Sequence, residues 1–306
     1  MSVRCAHAQA PRMEFFERGS HTYVMVLKSP TIRHRRLGRE LRRLREEAGL
    51  TPERAAQHLG WSRSKLNRIE IARIKVTPSD VANACDLYGA DSDTKAMLIQ
   101  LGREIGHRGW WAAYSDVLAG TYVSLEADAA VIRTWEPLLI PGLLQTEGYA
   151  QAIISGGRPG LDEAELRRRV SARMQRKVTL LGSASTLHVL MDEIVLRRPI
   201  GSASIMIEQL DDLIQVSGWP TVTVRVLPLT VGSHAGLDGS FSVFSFDEGD
   251  PDVAYTGGAA GEAYLEDSSQ VRDLTLGFER LSQMALSPEE SVALIAAARS
   301  DHEQDP

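Results

Sequence analysis

The sequence predicts two domains: an all-α head of five short helices over residues 29–105, and a mixed α/β domain over residues 107–300. Three observations carry that expectation. The chain has 306 residues, which at roughly 100–200 residues per domain makes two. Apolar residues recur at helical spacing as far as Leu101, and beyond Gly106 helical and alternating stretches mix. Charge is divided unevenly: thirteen Lys and Arg face five Glu between Ser29 and Lys75, a net of +8, while the remainder carries 21 basic and 35 acidic residues, a net of −14. Such asymmetry suggests a basic module on an acidic one. The basic segment supplies the field that nucleic-acid phosphates need, although an Arg-rich solvated helix has the same count.

Composition narrows the class. Apolar residues make up 43% and charged residues 24% of the chain, ordinary for a globular protein. No apolar run approaches the ~20 residues that span a bilayer. Arg4, His7, Arg12, Glu14, Glu17 and Arg18 break up the N-terminus, so no signal peptide is read and a cytoplasmic protein without a membrane span is expected. Cys5 and Cys85 lie far apart with no CxxC or Cys/His pattern around them, which fits a reduced compartment with no disulfide framework. Cys85 falls at an apolar helical position and reads as core filler. Residues 1–28 lack a clear period and are expected to be a poorly ordered tail.

The head is read element by element. Leu37, Leu41 and Leu44 mark a helix from Ile32 that Gly49 stops. Thr51 caps a second, with Pro52 at its first position, and Gly60 ends it after Leu59. Ser62 caps a third, running to about Ile71 with Leu66 and Ile69 inward. Thr77-Pro78-Ser79-Asp80 opens a fourth, with Val81, Ala84, Cys85 and Tyr88 on one side. Asp91 begins a fifth, with Met97, Leu98 and Leu101 inward.

In the second domain, Gly106–Tyr122 reads as a junction with aromatic anchors. Helices are expected over 148–154, from Asp162 to about Leu181 (Leu166, Val170 and Met174 inward), over 205–216 and 268–284, and from a Ser287 cap to about Ala298. Strands are expected over 186–191, 221–227, 240–246 and 253–256, with a frayed tail after Ser300.

Thr51–Glu70 carries the chemistry. Two helices crossing closely need small residues at the crossing, and Ala55 and Ala56 supply them. The turn needs a residue tolerant of positive φ, supplied by Gly60. With Leu66 and Ile69 buried, Arg63, Ser64, Asn67 and Arg68 fall on the free side of the third helix. Arg can pair with guanine and Asn with adenine through two hydrogen bonds. These four residues are the expected base readers of a helix-turn-helix domain, with Arg63 and Ser64 nearest the bases. Phosphate contacts are expected from the helix start at Thr51 and from Ser62, Lys65, Arg35, Arg36, Arg73 and Lys75.

Residues 33–75, through the run LGRELRRLREEAGLTPERAAQHLGWSRSKLNRIE, resemble the Xre or lambda-repressor-like helix-turn-helix family. That family often has Gln where Pro52 stands, and usually Gly after the Ile-Glu pair where this chain has Ile71-Ala72. From about His107 the chain resembles the uncharacterised C-terminal domain of many actinobacterial Xre-type regulators. The matching runs are Trp135-Glu136-Pro137, Pro141 to Thr146, Tyr149-Ala150, Arg173-Met174-Gln175-Arg176, Asp192 to Arg197, and Val226-Leu227-Pro228 with Gly232 and His234. The family often has an acid after its Val-Tyr pair, whereas this chain reads Val253-Ala254-Tyr255-Thr256. The resemblance implies a small acidic partner protein.

His188, His234, Asp192 and Glu193 show no metal or triad spacing. Gly257, Gly258 and Gly261 lack the strand–turn–helix setting of a dinucleotide site. No catalytic residue, metal or cofactor is assigned. The expected function is a sequence-specific transcriptional regulator that binds double-stranded DNA as a homodimer and is controlled through its C-terminal domain. The competing classes are a protein-interaction module, separable by its weaker salt dependence, and a C-terminal enzyme with a helical targeting head, separable by turnover that survives removal of residues 1–105.

Overall fold

The head folds as five helices because caps and a continuous apolar stripe agree at every boundary. In a computed structural model these are α1 (Ile32–Glu47), α2 (Pro52–Leu59), α3 (Arg63–Glu70), α4 (Pro78–Tyr88) and α5 (Ser92–Glu104). The structure describes residues 32–105, 110–118, 120–183, 185–247, 250–258 and 261–304. The expected 1–28 tail and Cys5 lie outside them. Leu37, Leu41 and Leu44 meet Ala55, Ala56, Leu66, Ile69, Val81 and Leu98 in one core. Cys85 is buried there as a free thiol. Met97 departs from the reading: it is 43% exposed, and Leu98 and Leu101 take the inner face. Gly102, one residue on, lies against Val81 and Leu37, which turns Met97 toward solvent.

The second domain opens with a 3-10 turn, Trp110–Tyr114, and α6 (Gly120–Asp128). It continues through β1 (Val131–Glu136), α7 (Glu147–Gly157), α8 (Glu163–Leu181), β2 (Thr186–Asp192), the single turn α9 (Ile194–Arg197), α10 (Ala203–Val216) and β3 (Val222–Leu227). It ends with β4 (Phe241–Ser245), β5 (Val253–Gly258), β6 (Gly261–Leu265), α11 (Ser268–Met284) and α12 (Pro288–Gln304). The strands form one sheet in the order β3-β2-β1-β4-β5-β6. β1, β2 and β3 run parallel; β4, β5 and β6 join antiparallel. The chain therefore reverses its direction of growth across the sheet at the β1–β4 boundary.

Each face of the sheet has its own core. Ile132, Leu187, Val189, Val224 and Val226 pack with Met206, Leu210 and Leu213 of α10 and Ile295 of α12. Trp135, Leu190, Phe241 and Val243 pack with Val271, Phe278 and Leu281 of α11. β1 was not anticipated as a strand, yet it lies at the sheet's centre. Its polar residues are satisfied inside: Arg133 donates to Ser245 Oγ at 2.9 Å, and the Thr134 and Ser242 hydroxyls lie 3.0 Å apart. On α8, Val170 is buried but Leu166 and Met174 are only half-buried. α12 runs six residues past the expected end at Ala298. Arg197 pairs with Asp301 at 3.1 Å, His302 Nε2 donates to the Leu196 carbonyl at 2.9 Å, and Arg299 pairs with Asp211 at 2.5 Å, so this last stretch is anchored.

Head and second domain meet through charge. Arg33 pairs with Asp128 at 2.8 Å, Arg35 with Glu266 at 2.7 Å, and Arg39 with Asp250. All three arginines come from the N-terminal half of α1.

Candidate nucleic-acid interface

The expected reading helix, α3, is positioned from both sides. At its start the Ser62 hydroxyl accepts the Lys65 N–H at 3.0 Å, a cap worth about 1 kcal/mol. Before it, Thr51 accepts the Arg54 N–H at 3.3 Å, and Gly60 takes the left-handed conformation at φ 66° that ends α2. Ala55 and Ala56 are buried at the crossing as expected.

Two further devices hold α3, and neither was singled out in the sequence. Gly38 on α1 lies under the last turn of α3: a methyl there would stand 2.7 Å from the carbonyl oxygens of Ile69 and Glu70. Only glycine allows so close a crossing without movement. Arg45 is buried and grips Glu70 through two bonds of 2.6 and 3.0 Å, while also donating to the Leu50 carbonyl at 2.9 Å. Arg45 lies in an arginine-rich stretch of α1, and its partner 25 residues away is invisible to local periodicity.

The exit from α3 departs from the usual pattern. Ala72 adopts φ 55°, where the related family usually has Gly. An L-residue there is disfavoured by roughly 1–2 kcal/mol. The Ala72 methyl is buried, and His34 Nε2 donates to the Ile74 carbonyl at 2.8 Å, tying this segment back to α1. Burial holds the His34 pKa below its ordinary value, with Lys75 adding to the effect.

On this frame the four expected base readers, Arg63, Ser64, Asn67 and Arg68, are all exposed, while Leu66 and Ile69 are each 1% exposed on the opposite side. Arg63 pairs with Glu53 of α2 at 2.8 Å, with both side chains in solvent. Such a surface pair contributes about 0–1 kcal/mol and opens readily. Lys65 is more restrained: it pairs with Asp80 at 3.1 Å and lies 4.4 Å over the Trp61 ring. Arg73 and Lys75 are exposed just beyond α3, and Thr51 and Ser62 are exposed caps. Arg36 is half-buried on α1. Arg35 faces Glu266 of the second domain, so a phosphate contact from it requires that pair to open.

In the second domain, His234 Nδ1 accepts the Gly236 N–H at 3.1 Å and the ring stands edge-on to Trp135 at 5.4 Å. Trp135 Nε1 donates to the Gly236 carbonyl at 2.9 Å. The histidine and its glycine-rich loop thus brace the tryptophan. Among the described residues, no group of three His, Cys, Asp or Glu is placed to hold a metal ion, and no helix is long and apolar enough to cross a membrane.

A family pattern described as a helix-turn-helix domain matches residues 36–98. Another, described as a domain of unknown function, DUF5753, matches residues 119–297, more than half of the chain. The chain belongs to the DUF5753 family. No curated protein matches it. In this DUF5753 protein the helix-turn-helix match contains α2, α3 and every expected base reader. The DUF5753 match contains the whole sheet and the Trp135–His234 brace.

Proposed function

We infer that this DUF5753 protein is a sequence-specific transcriptional regulator of the Xre type. Residues 62–71 enter the major groove, and Arg63, Ser64, Asn67 and Arg68 meet base edges. The observation that carries this reading is the two-sidedness of α3: its apolar stripe is fully used by the head, and its polar stripe is left to solvent. Arg73 and Lys75 add phosphate contacts from the segment that follows. A homodimer on two half-sites one helical turn apart supplies the affinity and selectivity that a single short helix lacks. Control comes from the second domain, whose acids hold α1 through Arg33, Arg35 and Arg39. The protein acts by binding and has no turnover of its own, a reading supported by the structural use of His234. A small acidic partner protein, where present, acts on this same control.

Footprinting on the DNA flanking its own gene tests this. A protected site with two related halves is expected, and the Arg63→Ala/Arg68→Ala double variant loses selectivity for it over random duplex. Selectivity that survives both changes overturns the assignment of α3.

A further inference from the structure

Two adjoining hollows lie beyond the carboxyl end of β1, with volumes of about 430 and 300 Å³. Small-molecule sites span about 300–1,000 Å³. The larger hollow is lined by Glu136 at the end of β1 and Ser240 just before β4, where the sheet's order reverses and open α/β sheets tend to hold ligands, while the smaller is walled by α7, α8 and the segment before α6. Arg173 and Arg176 line both hollows.

The two arginines differ in how they are satisfied. Arg176 is locked to the buried Glu126 through bonds of 2.5 and 2.6 Å and lies 5.0 Å from the centre of the Tyr122 ring. Arg173, one helical turn earlier, donates to the neutral Gln145 Oε1 at 2.6 Å, and among the described residues no carboxylate is within ion-pair distance of it. Burial lowers its pKa to about 10. Glu136, at the end of β1, also lines the larger hollow. Among the described residues it has neither a hydrogen bond nor an ion pair, and burial pushes its pKa up to about 7. Arg173 and Glu136 are both half-buried and feel each other's charge across the cavity, but neither hydrogen-bonds nor ion-pairs with the other. Ionisable groups with shifted titration that face a cleft without direct contact mark a candidate ligand site.

The charges specify what that is. Arg158 and Arg169 join Arg173 and Arg176 in lining the smaller hollow, with no carboxylate in its wall. Arg169 is engaged by Glu165 on its own helix, which leaves Arg173 as the inner guanidinium that lacks a carboxylate. The larger hollow offers apolar and aromatic walls from Tyr122, Tyr255, Leu139 and Ile140, with Glu136 available to accept a hydrogen bond.

We propose that this double cavity binds a small organic anion, with a carboxylate or phosphate group held by Arg173 and an apolar or aromatic body against Tyr122 and Tyr255. Occupancy of the cavity is how the second domain is controlled. Binding is independent of the regulator reading; control rests on it. The connection to the head is physical. α6 carries Tyr122 at the cavity and Asp128 against Arg33, while β6 carries Glu262 at the cavity and leads to Glu266 against Arg35. A ligand that prefers one placement of either element biases the pairs that hold α1.

The test uses the full chain and two probes, benzoate and phenyl phosphate, with benzyl alcohol as the neutral control at matched ionic strength. Either anion is expected to raise Tm by about 2–4 °C for each tenfold excess over its Kd, and the larger shift identifies the anion class. Arg173→Met loses the shift. Arg167→Met, on the same helix but outside both cavities, retains it. Because Arg173→Met also removes the hydrogen bond to Gln145, 4-fluorobenzoate is titrated against the unmodified protein by 19F NMR as well; line broadening that benzoate or phenyl phosphate reverses is expected. No shift and no broadening overturns the site, as does an equal shift from benzyl alcohol or an undiminished one in Arg173→Met. DNA affinity is measured separately with and without the bound anion. An unchanged affinity removes the controlling role, whereas failure to bind DNA without any probe refutes the regulator reading and leaves the anion site standing.

Discussion

Arg45 and Glu70 join the first and third helices of the head through a two-bond ion pair whose side chains are 5% and 7% exposed. Glu70 is the last residue of α3, so the pair ties the carboxyl end of that helix to α1. Removing one partner strands the other charge in the core. Arg45→Met is expected to destabilise the head by about 3–5 kcal/mol, and Arg45→Met/Glu70→Met to recover much of that loss. Urea denaturation of the three proteins checks the order; a double variant as weak as the single one contradicts it.

Gly38 makes a steric prediction at the same crossing. Gly38→Ala places a methyl against the Ile69 and Glu70 carbonyls and forces α1 and α3 apart. A loss of roughly 1–3 kcal/mol is expected, with a fall in DNA affinity larger than that of an equally destabilising change in the second domain. Thermal unfolding together with operator titration separates the two effects.

The residues expected to contact phosphates are distinguished by salt. Lys75→Ala is expected to lower the slope of log K against log salt by about 1. Arg35→Ala leaves that slope unchanged, because its guanidinium is engaged by Glu266 rather than by solvent. Fluorescence anisotropy across a salt series decides; a reduced slope for Arg35→Ala shows that the pair opens on DNA.

Glu136 predicts a pH dependence. Its carboxyl is pushed up to about 7 in the folded protein from an ordinary 4.5. The neighbours around its cavity are Arg173 and Arg176 on α8, Tyr122 on α6, and Tyr255 and Glu262 on the β5–β6 hairpin. Between those pH values the folded chain keeps a proton that the unfolded chain has released, so stability falls as pH rises through this window. The contribution is intact below 4.5 and lost through about 7. Glu136→Gln flattens the profile and is more stable than the parent at alkaline pH by on the order of 1–3 kcal/mol. Denaturation midpoints at acid and alkaline pH check the sign.

The head was legible because its information is local. Thr51, Ser62, Thr77 and Asp91 each cap the helix they precede, and the exposure of Arg63, Ser64, Asn67 and Arg68 follows from the burial of Leu66 and Ile69. Arg45–Glu70 and Gly38 were not legible, since both act across a helix crossing. β1 escaped because Arg133 and Thr134 interrupt its apolar run, and only their partners Ser245 and Ser242 make it a central strand. The cavity was hidden for the same reason. Glu136 and Arg173 meet through the crossover from β1 to β2, and Tyr255 through the antiparallel pairing of β4 and β5, although the sequence runs holding Glu136 and Arg173 already stood out.

The docking of α1 changes what a polyanion meets. Three of the eight net positive charges counted between Ser29 and Lys75 are answered by Asp128, Glu266 and Asp250 across the domain boundary. A head swung away from its neighbour hands those guanidinium groups back to the surrounding water. A detached form is expected to be the stickier polyelectrolyte, so that on the proposed reading the acidic domain would restrain indiscriminate adhesion while leaving the exposed face of α3 uncovered.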